Sequence, residues 1–195
     1  LFLAGMFTWS FAEYALHNWW GHWGKGRNRF SREHLSHHKD ARYFAPTLHK
    51  LQAAGAATVL MAPTAMWLFG WAGGATYTVG FLVAYAGYEF LHRRIHTHPP
   101  RNPYSRYVRK HHLAHHFTRP SHNHGVTSPL WDLVFRTYEP VEQVRVPRKK
   151  PMGWLCDDNG EVKTEFAADY VLVGRASTHA QPVTTAVSAS VAAAR

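Results

Sequence analysis

Uncharged segments alternate with polar, histidine-containing segments along the first 140 residues. Residues 1–12 carry no charge, and residues 51–88 contain neither a charged residue nor a histidine. Because a membrane-spanning helix needs about 20 apolar residues, the 38-residue segment predicts two helices and not one. The glycine-rich stretch 70–74 predicts the turn between them, so we expect a helical hairpin of residues 53–69 and 75–91.

The alternative for this segment is a buried hairpin in a soluble protein. Its borders, Lys50 on one side and His92, Arg93 and Arg94 on the other, favour a membrane hairpin instead. We therefore predict an all-α integral membrane protein, a bundle of about three to four spanning helices with a cytoplasmic, histidine-rich helical cap. Because the sequence opens on Leu1 inside an apolar segment, we also expect a truncated N-terminus.

Ten histidines lie in four short clusters outside the long apolar segment. On a helix, residues three and four apart share a face, so the rings within each of the last three clusters are expected to point together. The first two histidines are five residues apart and converge only if the helix ends between them, which Gly21 permits. The four clusters are His17 and His22; His34, His37 and His38; His92 and His96; and His112, His115 and His116.

The predicted hairpin brings all four clusters to one side of the membrane. If residues 1–12 end a spanning helix, the first two clusters lie on the side where the hairpin also returns the chain. Lys and Arg residues surround the clusters, and such residues are enriched in cytoplasmic segments. We therefore expect the histidine clusters to face the cytoplasm.

Charge and cysteine content narrow the possible chemistry. The formal net charge of +10 could indicate a nucleic-acid partner, but the basic residues flank apolar runs, which favours a membrane protein and no nucleic acid. Cys156 is the single cysteine, so neither a disulfide framework nor a thiolate metal site is available. Ten imidazoles are too many for one metal ion, and their number predicts two ions bound by nitrogen and oxygen ligands.

Three acidic residues accompany the histidine clusters. Glu13 precedes His17 by four residues, Glu89 precedes His92 by three, and Asp132 follows the last cluster. We predict that they hydrogen-bond the rings of the metal ligands and do not bind metal themselves. The alternative for each is an ordinary ion pair with a nearby arginine. The remaining histidines are expected to be ordinary surface or core residues, and they are His49, His98, His111, His122, His124 and His179.

The composition changes after residue 140. We predict a membrane-embedded domain with the metal site in residues 1–140 and a basic C-terminal extension in residues 141–175. Weak alternation over residues 161–173 indicates a strand or an extended flap. Residues 176–195, mostly Ala, Ser, Thr and Val, are predicted to form a disordered tail.

At this point the residues resemble a known family. The four clusters, with spacings HX4H, HX2HH, HX3H and HX2HH, are similar to those of the membrane fatty acid hydroxylase superfamily. The block from Tyr88 to His96 resembles the fatty acid 2-hydroxylase branch, as does His112 to Phe117 followed by Gly125 to Asp132. The resemblance covers about residues 13–138, although Glu89 stands where an aspartate is common in that branch.

This resemblance implies an integral membrane oxygenase with two metal ions, iron in the active enzyme and zinc possible in an isolated sample. The ten clustered histidines are then the ligands. One atom of O2 enters a C–H bond of a membrane lipid, and a fatty acyl chain at or near C2 is the expected position. The resemblance also implies that electrons come from a separate donor, cytochrome b5-like or ferredoxin-like. The cytochrome b5 domain of eukaryotic 2-hydroxylases is absent from the sequence, and either truncation or a free-standing redox partner would account for this.

Two other functions are compatible with these sequence features. Within the same superfamily, the chain could be a carotenoid ring hydroxylase or a sterol-type oxidase. In a different class, it could be a non-enzymatic membrane metal binder or transporter, which predicts histidines inside the spanning segments. Residues 51–88 contain none.

Overall fold

The computed structural model describes residues 1–174, and these residues form a mostly helical protein. Five α-helices are α1 (Phe2–Ala15), α2 (Arg29–Lys39), α3 (Thr47–Thr97), α4 (Pro103–Phe117) and α5 (Leu130–Val134). A π-helical segment, Leu16–His22, continues directly from α1, and a short 3-10 helix covers Thr164–Phe166. Strands β1 (Val144–Pro147) and β2 (Tyr170–Val173) pair in parallel. The predicted tail at residues 176–195 lies outside the described residues.

The predicted hairpin is present within α3. Gly70 has φ 72° and ψ 169°, which breaks the helix into two limbs. The limbs then lie side by side, since a Cβ added at Gly74 would come within 2.4 Å of the Met66 nitrogen. At the far end of the limbs, the Tyr85 hydroxyl donates to the Lys50 carbonyl at 3.2 Å. A single glycine with a positive φ makes the reversal, so a turn of several residues is not required.

Helix α3 is long and apolar enough to cross a membrane, and it is the one helix within residues 1–174 that meets this description. Only 11% of its most apolar 18-residue window is buried. Large side chains such as Leu60, Trp67 and Trp71 are more than three-quarters exposed. An apolar surface of this kind is typical of a membrane-contacting face. A bundle of three to four spanning helices stays a prediction.

Helix α1 packs tightly against the second limb of α3. A Cβ added at Gly5 would lie 2.0 Å from the Tyr77 carbonyl oxygen, and one at Gly80 would lie 2.0 Å from the Phe2 carbonyl oxygen. Glycines therefore let the two backbones approach closely, as in helix pairs within membranes. Trp9 is buried at this contact and meets Phe81 edge-on at 5.3 Å. This pairing places the end of α1 beside the histidines of α3.

The segment after residue 140 folds onto α4 and the end of α3. Val144, Val146, Trp154 and Tyr170 are buried in one core with Leu113 of α4. The expectation of an all-α protein is therefore wrong for this segment, because it contributes the two-stranded sheet. Residues 170–173 form the strand that the alternation indicated. The division of the chain at residue 140 stays a prediction.

Candidate metal centre

The structure brings all ten clustered histidines together, in two groups of five. Within each group, one ring nitrogen from each residue lies within 4.8 Å of the others. We call them the first group and the second group. The first group is His17, His22, His34, His38 and His115, and the second is His37, His92, His96, His112 and His116.

Helices α2 and α4 each contribute to both groups. On α2, His34 and His38 are four residues apart and join the first group, whereas His37 joins the second. Helix α4 gives His115 to the first group and two rings to the second. The expectation that the rings of a cluster point together therefore holds for His92 and His96 but is wrong for the clusters on α2 and α4, each of which is divided between the two adjacent groups. His38 and His116 stack across the boundary, with ring centroids 4.1 Å apart.

A π-helix, and not a helix end, brings the first two histidines together. Residues 16–22 form i→i+5 hydrogen bonds, so residues five apart return to the same face. The predicted termination between His17 and His22 is therefore wrong. Gly21 has a different role, since a Cβ there would lie 2.9 Å from Cδ2 of His34. The glycine lets the His34 ring approach the π-helix.

Backbone carbonyls fix the tautomers of three rings. The Nδ1–H of His17 donates to the His124 carbonyl at 2.5 Å, and that of His115 donates to the His122 carbonyl at 2.7 Å. In the second group, the Nδ1–H of His37 donates to the Tyr43 carbonyl at 2.7 Å. A carbonyl only accepts, so Nδ1 carries the proton in each neutral ring and Nε2 presents a lone pair.

These lone pairs face other ring nitrogens at short range. Nε2 of His115 lies 2.9 Å from Nε2 of His17, and neither atom has a proton to share in the neutral rings. Further Nε2 atoms, those of His22 and His38, approach His115 at 3.0 and 3.1 Å. Lone pairs so close repel each other unless a cation lies among them. The donor set therefore fits a metal ion, and converging imidazoles suit Fe, Zn, Cu or Ni.

Burial keeps these rings in the form that binds metal. Desolvation lowers the pKa of His38 to about 3 and that of His37 to about 4. Desolvation also holds the pKa values of His112, His115 and His116 well below 6.5, and neighbouring rings lower them further. At neutral pH these imidazoles are uncharged, so metal binding does not have to displace a proton from them.

An apolar cavity of about 450 Å³ reaches both groups. Its walls come from the end of α1, from α2 and from both limbs of α3. Histidines of the first group (His17, His34) and of the second (His37, His92) line it. Most of the remaining lining is aromatic or small, including Trp9, Phe30, Phe44, Ala53, Ala54, Ala57, Phe81, Tyr85 and Tyr88. This size and character suit an apolar ligand.

Comparison with known proteins agrees with the geometry. A family model described as fatty acid hydroxylase matches residues 2–137. The chain belongs to the fatty acid hydroxylase family. This membership confirms the resemblance seen in the histidine clusters.

Relatives of this family include a dihydroceramide fatty acyl 2-hydroxylase of Arabidopsis thaliana, named FAH1, which is 31% identical over 161 residues. That match covers 75% of this chain and 62% of the relative. The human fatty acid 2-hydroxylase is 27% identical over 154 residues, covering 72% of this chain and 40% of the relative. The chain thus spans less than two thirds of the length of these relatives.

A solved structure of the family also resembles the fold. It is titled full-length scs7p with only the hydroxylase domain visible. Its TM-score with this chain is 0.58 at 27% sequence identity, and the match covers 71% of this chain and 55% of that one. The ceramide very long chain fatty acid hydroxylase SCS7 of Saccharomyces cerevisiae is 32% identical over 152 residues, covering 71% of this chain and 38% of the relative.

Two of the three acidic residues support a loop, and they do so without touching the clustered histidines. Residues 122–127, here called the carbonyl loop, supply the carbonyls that hold His17 and His115. Asp132 accepts the backbone N–H groups of His124 and Gly125, each at 2.8 Å. Glu13 accepts those of residues 126 and 127 at 2.6 and 2.8 Å. Asp132 and Glu13 therefore contact backbone atoms of the loop, and residue spacing does not reveal such contacts.

Glu89 has a different partner. Its carboxylate pairs with the ammonium group of Lys50, and both residues line the cavity. A direct contact with a clustered histidine is not among the contacts of Glu89 within residues 1–174, and a role in supporting a ligand stays a prediction.

The histidines outside the two groups have other surroundings. His111 donates from Nε2 to Asp132 at 3.2 Å, between the rings of Tyr107 and Tyr138. His49 contacts Glu33, and His98 is exposed. His122 and His124 belong to the carbonyl loop, and His179 lies outside the described residues.

Proposed function

We propose that the chain is a membrane-bound dimetal oxygenase that hydroxylates a lipid, with a fatty acyl chain at or near C2 as the substrate position. The observation that carries this proposal is the convergence of two five-histidine groups at one apolar cavity. The names of the relatives, which are fatty acyl 2-hydroxylases, support the acyl chain over a carotenoid ring or a sterol. Iron is the expected metal.

The reaction consumes one O2, two electrons and two protons. One oxygen atom enters the C–H bond to form an alcohol, and the other leaves as water. The two histidine groups would hold the metal pair, which would supply the activation of O2 that hydroxylation of the acyl C–H bond requires. The electrons come from a separate cytochrome b5-like or ferredoxin-like donor.

The residues of the chain position the substrate and the ligands. The apolar walls exclude water and hold the acyl chain, so that a carbon beside the polar end lies next to His17 and His92, one from each group. Two polar pairs in the cavity lining, Glu33 with His49 and Lys50 with Glu89, are placed to hydrogen-bond the polar end of the lipid. The carbonyl contacts keep the ligand rings in one orientation throughout the reaction.

The proposal includes a multi-pass membrane topology with both groups on the cytoplasmic side. Helix α3 folds back at Gly70, so its two ends, near Lys50 and Arg93, meet on one side of the hairpin. The exposed apolar side chains lie along the limbs, and the basic residues lie at the ends. This distribution supports insertion of the hairpin from the cytoplasm.

The proposal is tested by supplying the iron-loaded protein with 18O2, a reducing donor system and membranes containing ceramides and carotenoids. We expect an acyl 2-hydroxy product that carries one 18O atom, detected by mass spectrometry. The variant His115→Ala should form no product, whereas His98→Ala, which changes an exposed histidine outside both groups, should behave as the wild type. Oxygenated carotenoid as the sole product would contradict the proposed acyl substrate. Metal uptake without any oxygenated product would contradict the proposed oxygenase activity.

A further inference from the structure

The two histidine groups are held by different parts of the chain. In the first group, the Nδ1 atoms of His17 and His115 are both bound by the carbonyl loop. In the second group, His37 is held by the carbonyl of Tyr43, which follows α2. The Nδ1 atoms of the other buried rings of that group have no hydrogen-bond partner within residues 1–174, and these rings are His96, His112 and His116.

The carbonyl loop is itself fixed by two buried carboxylates. Asp132 is fully buried and accepts from the backbone of His124 and Gly125, from the Thr137 hydroxyl at 2.7 Å and from His111. Gly125 allows this approach, since a Cβ there would lie 3.0 Å from Oδ2 of Asp132 and 2.0 Å from the Ser128 carbonyl oxygen.

Glu13 holds the other end of the carbonyl loop. Its Oε1 accepts the backbone N–H groups of Val126 and Thr127, and its Oε2 accepts the Thr127 hydroxyl at 2.7 Å. Glu13 also lies one helical turn before His17 in the sequence. One carboxylate thus ties the loop to α1, and the other ties it to α5.

We propose that Asp132 and Glu13 are positioning residues for the metal site of the first group alone, acting through the carbonyl loop. This inference rests on the proposed dimetal function. The carbonyls orient His17 and His115 and increase the basicity of their Nε2 atoms, as hydrogen-bonded partners of ligand imidazoles generally do. The second group has no such connection to the loop among the described contacts. The two metal sites are therefore inequivalent, and their affinities can be changed separately.

Zinc binding to the full chain in detergent tests this assignment without reference to catalysis. The background His92→Ala removes a ligand of the second group and leaves the first site, and His34→Ala does the reverse. Adding Asp132→Asn to the His92→Ala background, where only the first site remains, should weaken zinc binding about 10- to 100-fold. This is the usual effect of losing a hydrogen-bonding partner of a metal ligand. In the His34→Ala background, where only the second site remains, the zinc affinity should stay unchanged.

Glu13 provides an independent arm if Asp132→Asn does not fold. Glu13→Gln keeps Oε1 as an acceptor for both backbone N–H groups, so the first site should bind nearly as tightly as in the wild type. Glu13→Ala removes all three hydrogen bonds and should weaken that site selectively. Asp169→Asn is the matched control, because Asp169 is a buried carboxylate that pairs with Arg106 and Lys110 of α4. Because Asp169 has no hydrogen bond to the carbonyl loop among the described contacts, its replacement should not weaken the first site selectively.

Equal weakening of both sites by Asp132→Asn, or no weakening of the first, would overturn the role of Asp132 and leave the dimetal function intact. Weakening by Glu13→Gln as severe as that by Glu13→Ala would overturn the role of Glu13. A wild-type chain that binds fewer than two zinc ions would overturn the two-site assignment itself.

Discussion

Replacing Gly21 with alanine should disturb the metal centre although it adds a single methyl group. The new Cβ would lie 2.9 Å from Cδ2 and 3.2 Å from Cγ of the His34 ring, and 3.3 Å from the Leu16 carbonyl oxygen. Ordinary contact begins near 3.4 Å, so the ring must move by about 0.5 Å. Ligand distances in metal sites tolerate only about 0.2 Å. A shift of this size displaces Nε2 of His34 from the first group.

Gly21→Ala should impair the site, although this type of substitution usually increases the stability of a protein. Glycine to alanine within a helix ordinarily stabilises a protein by about 0.5–1 kcal/mol. Here we expect hydroxylation activity to fall roughly 10- to 100-fold, in line with the effect of ångström-scale misplacement of reacting groups. The metal content of the first site should fall as well.

Activity, metal content and thermal unfolding would be measured on Gly21→Ala together with Gly87→Ala. The second variant is the matched control, because Gly87 also lies in a helix and a Cβ there meets nothing within 4 Å. It should retain full activity and unfold at the same or a slightly higher temperature. A Gly21→Ala protein with normal metal content and normal turnover would refute the reasoning about the close approach of His34.

Three further predictions follow from the same site. In metal-free protein, the pKa values of His37 and His38 lie below the ordinary 6.5, so the unfolded chain takes up protons first as the pH falls. The thermal unfolding midpoint should therefore decrease from pH 6.5 towards pH 4, and an increase would contradict the burial of neutral rings. Reloading that protein with zinc at about 100 times the Kd of each site should stabilise it in denaturant unfolding by about 2.7 kcal/mol per site, and so by about 5.4 kcal/mol for two sites. An unchanged midpoint would argue against any metal site. The variant Ala57→Trp should fill the cavity and reduce turnover of long acyl chains about tenfold without loss of metal, whereas Val59→Trp on the exposed face should not.

The sequence pattern predicted the hairpin and singled out the ten histidines that converge, because both depend on local spacing and apolar length. The uncharged segment 51–88 and Gly70 are enough to place the reversal. The ten histidines stood out because they recur in short clusters, and eight of them lie three or four residues from another histidine of their cluster.

The division of the rings between two centres could not be predicted in this way. It depends on tertiary packing, which puts the ring of His37 4.7 Å from that of His92 on α3 and 6.4 Å from that of its neighbour His38. The π-helix is equally hidden, because nothing in residues 16–22 distinguishes i→i+5 from i→i+4 bonding before packing is known. The carbonyls of His122 and His124 are backbone atoms, and every residue type has one.

The most direct test of the dimetal centre is an experimental structure of the iron-loaded protein with anomalous scattering recorded at the iron edge. We predict two peaks, one among the Nε2 atoms of His17, His22 and His115 and the other among those of His37, His92 and His96. A single peak, a peak outside the two groups, or none in protein that hydroxylates lipid would contradict the account.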